Sequence, residues 1–281
     1  MYFPNDPHHP ELRQHIEHAM ARCQALHPGA KAYALVNASL DTGWAGELRQ
    51  RSQEHPQQVQ SLYQDTPLAG FEETAPFLCT LAGAELGALL DRTRSWPRLS
   101  FIQAGQSLSG LRTHLSRFAS AHTADGARFP VRWGFPLGVP HLIEALAPPA
   151  RALLLSGLQA WHLINRTGTL ETVKGQPAQP ASTEPVRGMR EHGFELSERA
   201  FARLVDESEV DALLIAEVER TPSLAQGRAS ELHRMARSAL KEMDRLGLEG
   251  APLRRQLLGE ALDCASEQHA LALIAAHAAA R

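Results

Sequence analysis

Apolar residues in the front half of the chain fall into short runs separated by stretches of helical spacing. Ala32–Leu40 (AYALVNASL) is apolar and β-prone, and Val59–Tyr63 alternates in and out like a half-buried strand. Pro76–Leu81 and Leu99–Gln103 read as two further strands. Between these runs, Gly43–Arg51 and Ala84–Thr93 read as helices, and Leu108, Leu111, Leu115 and Phe118 recur at helical spacing. Arg128–Trp133 is extended, Leu137–Leu146 is helical, and Leu153–Ile164 holds a strand. Strands alternating with helices predict an α/β (α+β) N-terminal lobe with a mixed sheet and flanking helices.

The pattern changes in the back part, where helical spacing alone persists. Leu232, Met235, Ala236, Ala239, Leu240, Met243 and Leu246 form an i, i+3, i+4, i+7 stripe. Gly247 follows the last apolar position, where a left-handed cap is expected, and Pro252 sits where the next helix begins. That helix shows an apolar face of Leu253, Leu257, Leu258, Ala261 and Leu262. Phe201, Leu204 and Val205, then Leu213, Leu214 and Val218, supply two earlier helices, and Ala270–Ala280 is Ala-rich and helix-prone. From about His192 onward the chain reads as an all-α helical C-terminal lobe. The break between the two patterns is Lys174–Pro185 (KGQPAQPASTEP), with three prolines and little apolar bulk. Proline removes amide donors and holds its predecessor extended, so a linker is expected. The predicted division is an α/β domain over 1–174, a Pro-rich linker over 175–190 and a helical bundle over 191–281.

Length agrees with this division: 281 residues correspond to about two domains. With 28 basic against 31 acidic residues the net charge is -3, so the basic footprint that nucleic-acid binding needs is missing. Only three of the basic residues are lysines (Lys31, Lys174, Lys241); the arginines suit bidentate pairing at interfaces. Cys23, Cys79 and Cys264 are far apart and form no Cys-x-x-Cys pair, so neither a zinc knuckle nor a redox motif is suggested. The start (MYFPND) shows no charged region followed by an apolar stretch, and no apolar run reaches about eighteen residues. A cytoplasmic protein without secretory signal or membrane span is expected.

Three groups of residues could carry chemistry. Gly105-Gln106-Ser107-Leu108-Ser109-Gly110 follows a predicted strand and opens a helix, the setting of a nucleophile elbow, although Ser109 stands where the second glycine belongs. A serine hydrolase using Ser107, with His141 and Asp125 drafted as base and acid, is the alternative function. The simpler reading of Ser107 or Ser109 is a helix cap. Near the start, Glu11, His15 and His18 share a helix face and could hold a metal, but the His-Glu-x-x-His order is missing and a solvated polar helix is preferred. Last, Arg132-Trp133-Gly134-Phe135-Pro136, with His141 and Trp161-His162 beyond, gathers aromatic residues and an arginine as an interface would; buried core tryptophans are the competing reading. No phosphate-cradling glycine loop occurs. No catalytic residue, metal site or cofactor is therefore assigned.

The order of the front motifs carries a resemblance. Tyr33–Ala38 (YALVNA), Ser61–Pro67 (SLYQDTP), Ala75–Leu78 (APFL), Ser107–Leu115 (SLSGLRTHL), Asp125-Gly126, Arg132–Pro136 (RWGFP) and Leu158–Trp161 (LQAW) follow one another as in the effector-adaptor chaperones of the bacterial type VI secretion system, long catalogued as a domain of unknown function. The likeness spans roughly Tyr33 to Val173, and Met243–Leu248 (MDRLGL) fits a helix end that recurs in the family. Two positions depart from the family pattern: Phe135 stands where an Asp usually precedes the proline, and Ala75 where a Gly precedes the Pro-x-Leu strand. An Asp pairing with a nearby arginine is thereby missing, which bears on the surface role of Arg132. The resemblance implies a non-enzymatic, cytoplasmic adaptor that holds an effector toxin and hands it to a VgrG spike protein or a PAAR tip. Arg132, Trp133, Phe135, Pro136, His141 and Trp161 are the expected partner-binding residues.

Overall fold

A computed structural model describes residues 3–178, 186–190 and 192–280. Part of the predicted linker, residues 179–185, lies outside the described residues. The chain forms two compact units. One is Pro7–Leu204; the other holds the described residues before Pro7 and after Leu204.

The first unit opens with α1 (Leu12–Leu26), β1 (Lys31–Asn37), α2 (Thr42–Glu54) and β2 (Val59–Ser61). A 3-10 turn at Ala69–Thr74 leads to β3 (Pro76–Thr80), α3 (Glu85–Thr93), β4 (Leu99–Ala104) and α4 (Leu108–Ser116). Then come β5 (Ser120–His122), β6 (Arg128–Pro130), a 3-10 turn at Pro136–Gly138, α5 (Val139–Ala145), α6 (Pro148–Leu155), β7 (Leu158–Ile164) and β8 (Leu170–Lys174). Short strands β9 (Met189–Arg190) and β10 (Gly193–Glu195) precede α7 (Glu198–Arg220). The remaining helices are α8 (Ala229–Arg245), α9 (Ala251–Leu262) and α10 (Glu267–Ala279).

Six strands make the main sheet in the order β2-β3-β1-β4-β7-β8, every neighbour antiparallel. The mixed character expected of the sheet belongs instead to a small second sheet, β6-β5-β10-β9, where β10 runs parallel to β5. Both faces of the main sheet are covered, which is why β1 and β4 read as continuous apolar runs rather than alternating ones. Tyr33, Leu35, Leu78, Ile102, Trp161 and Leu163 face a core completed by Leu111 and Leu115 of α4, Ile143 of α5 and Leu154 of α6. Their sequence neighbours Ala34, Val36, Phe77, Cys79 and Phe101 face the opposite way, onto Leu12 and Ile16 of α1, Trp44 and Leu48 of α2 and Leu86 and Leu90 of α3. The period of two along each strand thus separates two cores.

α1 is docked, not solvated: Leu12, Ile16, Ala19 and Cys23 are buried along one face, while the histidines lie on the other. The helical region also starts later than expected. Phe194 of β10 and Leu196 are buried in the core of the first unit, and Ala200, Phe201 and Leu204 pack against it. The division between units therefore falls inside α7 at Leu204 and Val205, not at the proline-rich stretch.

In the second unit, the stripe read along α8 is the buried one: Leu232, Ala236, Ala239, Leu240 and Met243. They meet Val210 and Leu214 of α7, Leu257, Leu258 and Ala261 of α9, and Ala270 and Ile274 of α10. Gly247 has φ 65°, and the Leu248 amide donates to Met243 O over 2.9 Å, closing α8 with the left-handed cap its position predicts. No described helix is long and apolar enough to cross a membrane.

Candidate interaction site at one end of the sheet

The strand registers define one end of the main sheet, where β1, β2 and β7 finish and β3, β4 and β8 begin. Asn37 pairs with Pro76, Val36 with Leu99, Ser61 with Phe77 and Ile164 with Leu170. Most of the motifs noted in the sequence come together at this end.

The loop after β2 is the first component. Its backbone is held from several directions. Ser116 Oγ of α4 donates to Leu62 O (2.9 Å), Thr66 Oγ1 to Tyr63 O (2.7 Å), and Arg112 Nη1 to Gln64 O (2.8 Å). Arg112 also lies 3.2 Å from the Asp65 carboxylate. Asp65 has φ 59°, the left-handed region that side-chain-bearing residues rarely adopt. Such a conformation persists only where surrounding bonds over-determine it, and here Arg112 holds both the carbonyl before Asp65 and its own carboxylate. Tyr63 is buried beneath the loop, with its hydroxyl 3.4 Å from Val131 O. Burial pushes its phenol up to about 12, and the charge of Arg132 pulls the other way.

Residues 132–136 form the second component, and four of the six expected anchor residues are core. Trp133 and Trp161 are both 0% exposed, their rings 5.6 Å apart. Each indole N–H is satisfied inside the protein: Trp133 Nε1 donates to Phe118 O (2.9 Å) and Trp161 Nε1 to Ser100 Oγ (3.1 Å). Phe135 and Pro136 are buried as well. Phe135 therefore occupies an interior position, where an unpaired Asp carboxylate would be costly. Arg132 is exposed, and His141 on α5 is half-buried. Gly134 has a steric role: a methyl there would sit 2.5 Å from Asn37 Cβ, so the turn packs on the end of β1 only as glycine.

What this end of the sheet presents outward is a different set of side chains. Leu40 follows β1 and is 43% exposed; Phe71, in the turn before β3, is 58% exposed; Trp96, before β4, is 39% exposed. None of them is marked as a surface group by the sequence: Leu40 ends an apolar run that reads as strand, and Phe71 and Trp96 sit in short connections with no periodicity. Around them, Asp41 accepts the Trp44 amide as the cap of α2 (2.9 Å), and Arg92 bridges to Glu47 (2.7 Å) and Asp41 (3.6 Å). The bond from Trp44 and the charge of Arg92 hold the Asp41 carboxyl below the usual carboxylate range. The arrangement of aromatic, aliphatic and arginine side chains suits protein contact.

The other chemical candidates fare as follows. Ser107 is the N-cap of α4, accepting the Gly110 amide over 3.2 Å. Asp125 is engaged in the β5–β6 turn with Thr123 and the Ala127 amide. His15 lies 3.6 Å from Glu11, but no group of three ligating side chains among the described residues could hold a metal.

Comparison with known proteins gives one match: residues 32–153 fit the family model described as "Domain of unknown function (DUF4123)". The matched region runs from β1 into α6 and takes in the β2 loop, α4 and the Trp133 turn. No curated protein and no solved structure matches the chain.

Proposed function

We propose that the protein is a non-enzymatic adaptor of a type VI secretion system: it holds a toxic effector in the cytoplasm and loads it onto a VgrG spike or PAAR tip. The observation that carries this reading is the match of residues 32–153 to a family associated with type VI secretion effectors. Its motif residues Ser61–Pro67, Arg112 and Arg132–Pro136 serve to build one end of the sheet, with buried aromatics inside and Leu40, Phe71, Trp96 and Arg132 outside. Engagement of Ser107 as a helix cap supports a binding role over the hydrolase alternative. In this reading the exposed end of the sheet is one partner surface, and the helical unit offers a second. A chain that binds two partners at once makes the second contact effectively intramolecular.

The test is co-purification of the tagged full chain with candidate toxin and spike proteins from its own source organism. The toxin should be retained, and retention should fall in a Phe71→Ala, Trp96→Ala double variant whose melting temperature is unchanged. Failure to retain either protein would defeat the reading. Fluorophosphonate labelling that disappears in Ser107→Ala would replace it with a hydrolase.

A further inference from the structure

Arg98, at this end of the sheet, is a buried arginine whose Nε finds no acceptor among the described residues. It lies between Trp96 and the start of β4, and its carbonyl accepts the Asn37 amide (2.8 Å), so the backbone there is fixed to the end of β1. Only 8% of the residue is exposed. Its guanidinium carbon lies 4.9 Å from the centre of the Trp96 ring. Nε is sealed from solvent with no hydrogen-bond acceptor, so an approaching group meets the outer guanidinium nitrogens, for which no side-chain bond within the described residues is seen. Among the described residues no carboxylate comes within ion-pair distance of it, whereas Arg92 and Arg94, on the same stretch, have Asp41, Glu47 and Asp91. Asp41 attracts it from further away, but that carboxylate already takes the Trp44 amide and Arg92.

A buried guanidinium donor without an acceptor is destabilising, and buried polar groups in folded proteins nearly always have a partner. Here the surroundings also say what shape such a partner has. Trp96 exposes its ring beside the guanidinium, and Leu40 is exposed in the loop next to Asp41. A carboxylate would satisfy the arginine, and an apolar side chain next to it would cover the tryptophan and leucine. Isolated acid would satisfy only the first need; an apolar peptide, only the second.

We propose that Arg98, Trp96 and Leu40 form a docking site for an acidic side chain of a partner protein, flanked in that partner by an apolar residue. This deepens the adaptor reading by stating the chemistry of one partner contact. Arginine is the residue suited to the task, since its planar fork meets a carboxylate bidentately and stacks on an indole at the same time.

The test uses the full chain, immobilised, and a displayed library of random linear peptides as probe. Enriched peptides should carry Asp or Glu beside an aliphatic or aromatic residue. The best of them, made synthetically, should bind Arg98→Met at least about tenfold more weakly. A similar loss is expected when its acid is changed to the amide, and again for Trp96→Ala. Arg98→Met should melt no lower than the parent, because it removes a buried charge that has no ion-pair partner and keeps an unbranched side chain in its place. The inference is overturned if no peptide is enriched, if enriched peptides lack acids, or if they bind Arg98→Met as tightly as the parent. It is also overturned if Arg98→Met melts several degrees lower, which marks a structural arginine. No toxin or spike takes part in this selection. Acidic peptides that bind while neither candidate protein co-purifies would sink the adaptor reading alone; capture indifferent to Arg98→Met would sink the docking site alone.

Discussion

His162 sits inside the sheet with both ring nitrogens bonded, Nε2 to Gln103 Oε1 and Nδ1 to Thr172 Oγ1, each 2.9 Å. Gln103 Nε2 donates to Met20 O of α1 (3.1 Å), which leaves Oε1 as the acceptor and makes the histidine Nε2 the donor. The chain of bonds thus ties α1 to the sheet through a neutral imidazole. Burial pulls its pKa down to about 4, with the charge of Arg22 adding to the shift. In the unfolded chain it titrates near ~6.5, so acid favours unfolding: its contribution is whole above about pH 6.5 and falls as pH drops toward 4, by up to about 3 kcal/mol. Urea unfolding at pH 7, 5.5 and 4.5 should show that loss, and His162→Gln should flatten the slope. Part of the slope will remain, because burial lowers His8, His114 and His122 in the same direction. Trp133→Ala should cost about 3–5 kcal/mol, seen as a large fall in melting temperature. Gly134→Ala, which pushes a methyl onto Asn37, should cost about 1–3 kcal/mol. The sequence made the tryptophans conspicuous, yet a Trp in an extended stretch suits a core and an interface equally well. Only the covering of both sheet faces decides between them. Arg98 and Trp96 carried no signal of their own, since an arginine in a loop is ordinarily solvated.

Elements were legible where their hydrophobic period is local. β1, β3, β4, α4 and the α8 stripe all lie where apolar spacing puts them, and Gly247 ends α8 with its positive φ. The short strands β9 and β10 escaped because what orders them is remote: Phe194 of β10 pairs with Ala121 of β5, more than seventy residues earlier. β8 is an edge strand with polar, largely exposed positions, so it offers no alternation to read. The β2 loop was recognisable as a motif but not as a clamped turn, since Arg112 and Ser116 reach it from α4. Arg112→Met should release it. Amide exchange over residues 62–68 should speed up by roughly tenfold, with about 1–2 kcal/mol of lost stability, while exchange in the second unit stays unchanged. At the start of α4, Ser107→Ala should cost about 1 kcal/mol and Ser107→Asp should restore it, the pattern of a cap and not of a nucleophile.

The whole chain has the expected order, an α/β unit followed by a helical one, but a different seam. Proline content marks where a chain runs extended; it does not mark where a core ends. Phe194 and Leu196 lie beyond the proline-rich stretch and are nevertheless buried in the first unit. A chain ending at residue 190 should therefore melt well below one ending at 204, with the difference traceable to Phe194→Ala in the full chain, about 3–5 kcal/mol. In the proposed adaptor role, function at this scale rests on binding two proteins at once. The most direct measurement is co-expression of the tagged full chain with candidate toxin and spike proteins from its source organism, followed by gel filtration and mass determination of the eluted complex. A single peak containing the chain and the toxin, joined by the spike protein when it is added, is the expected result. A chain that elutes alone in the presence of both would contradict the adaptor function.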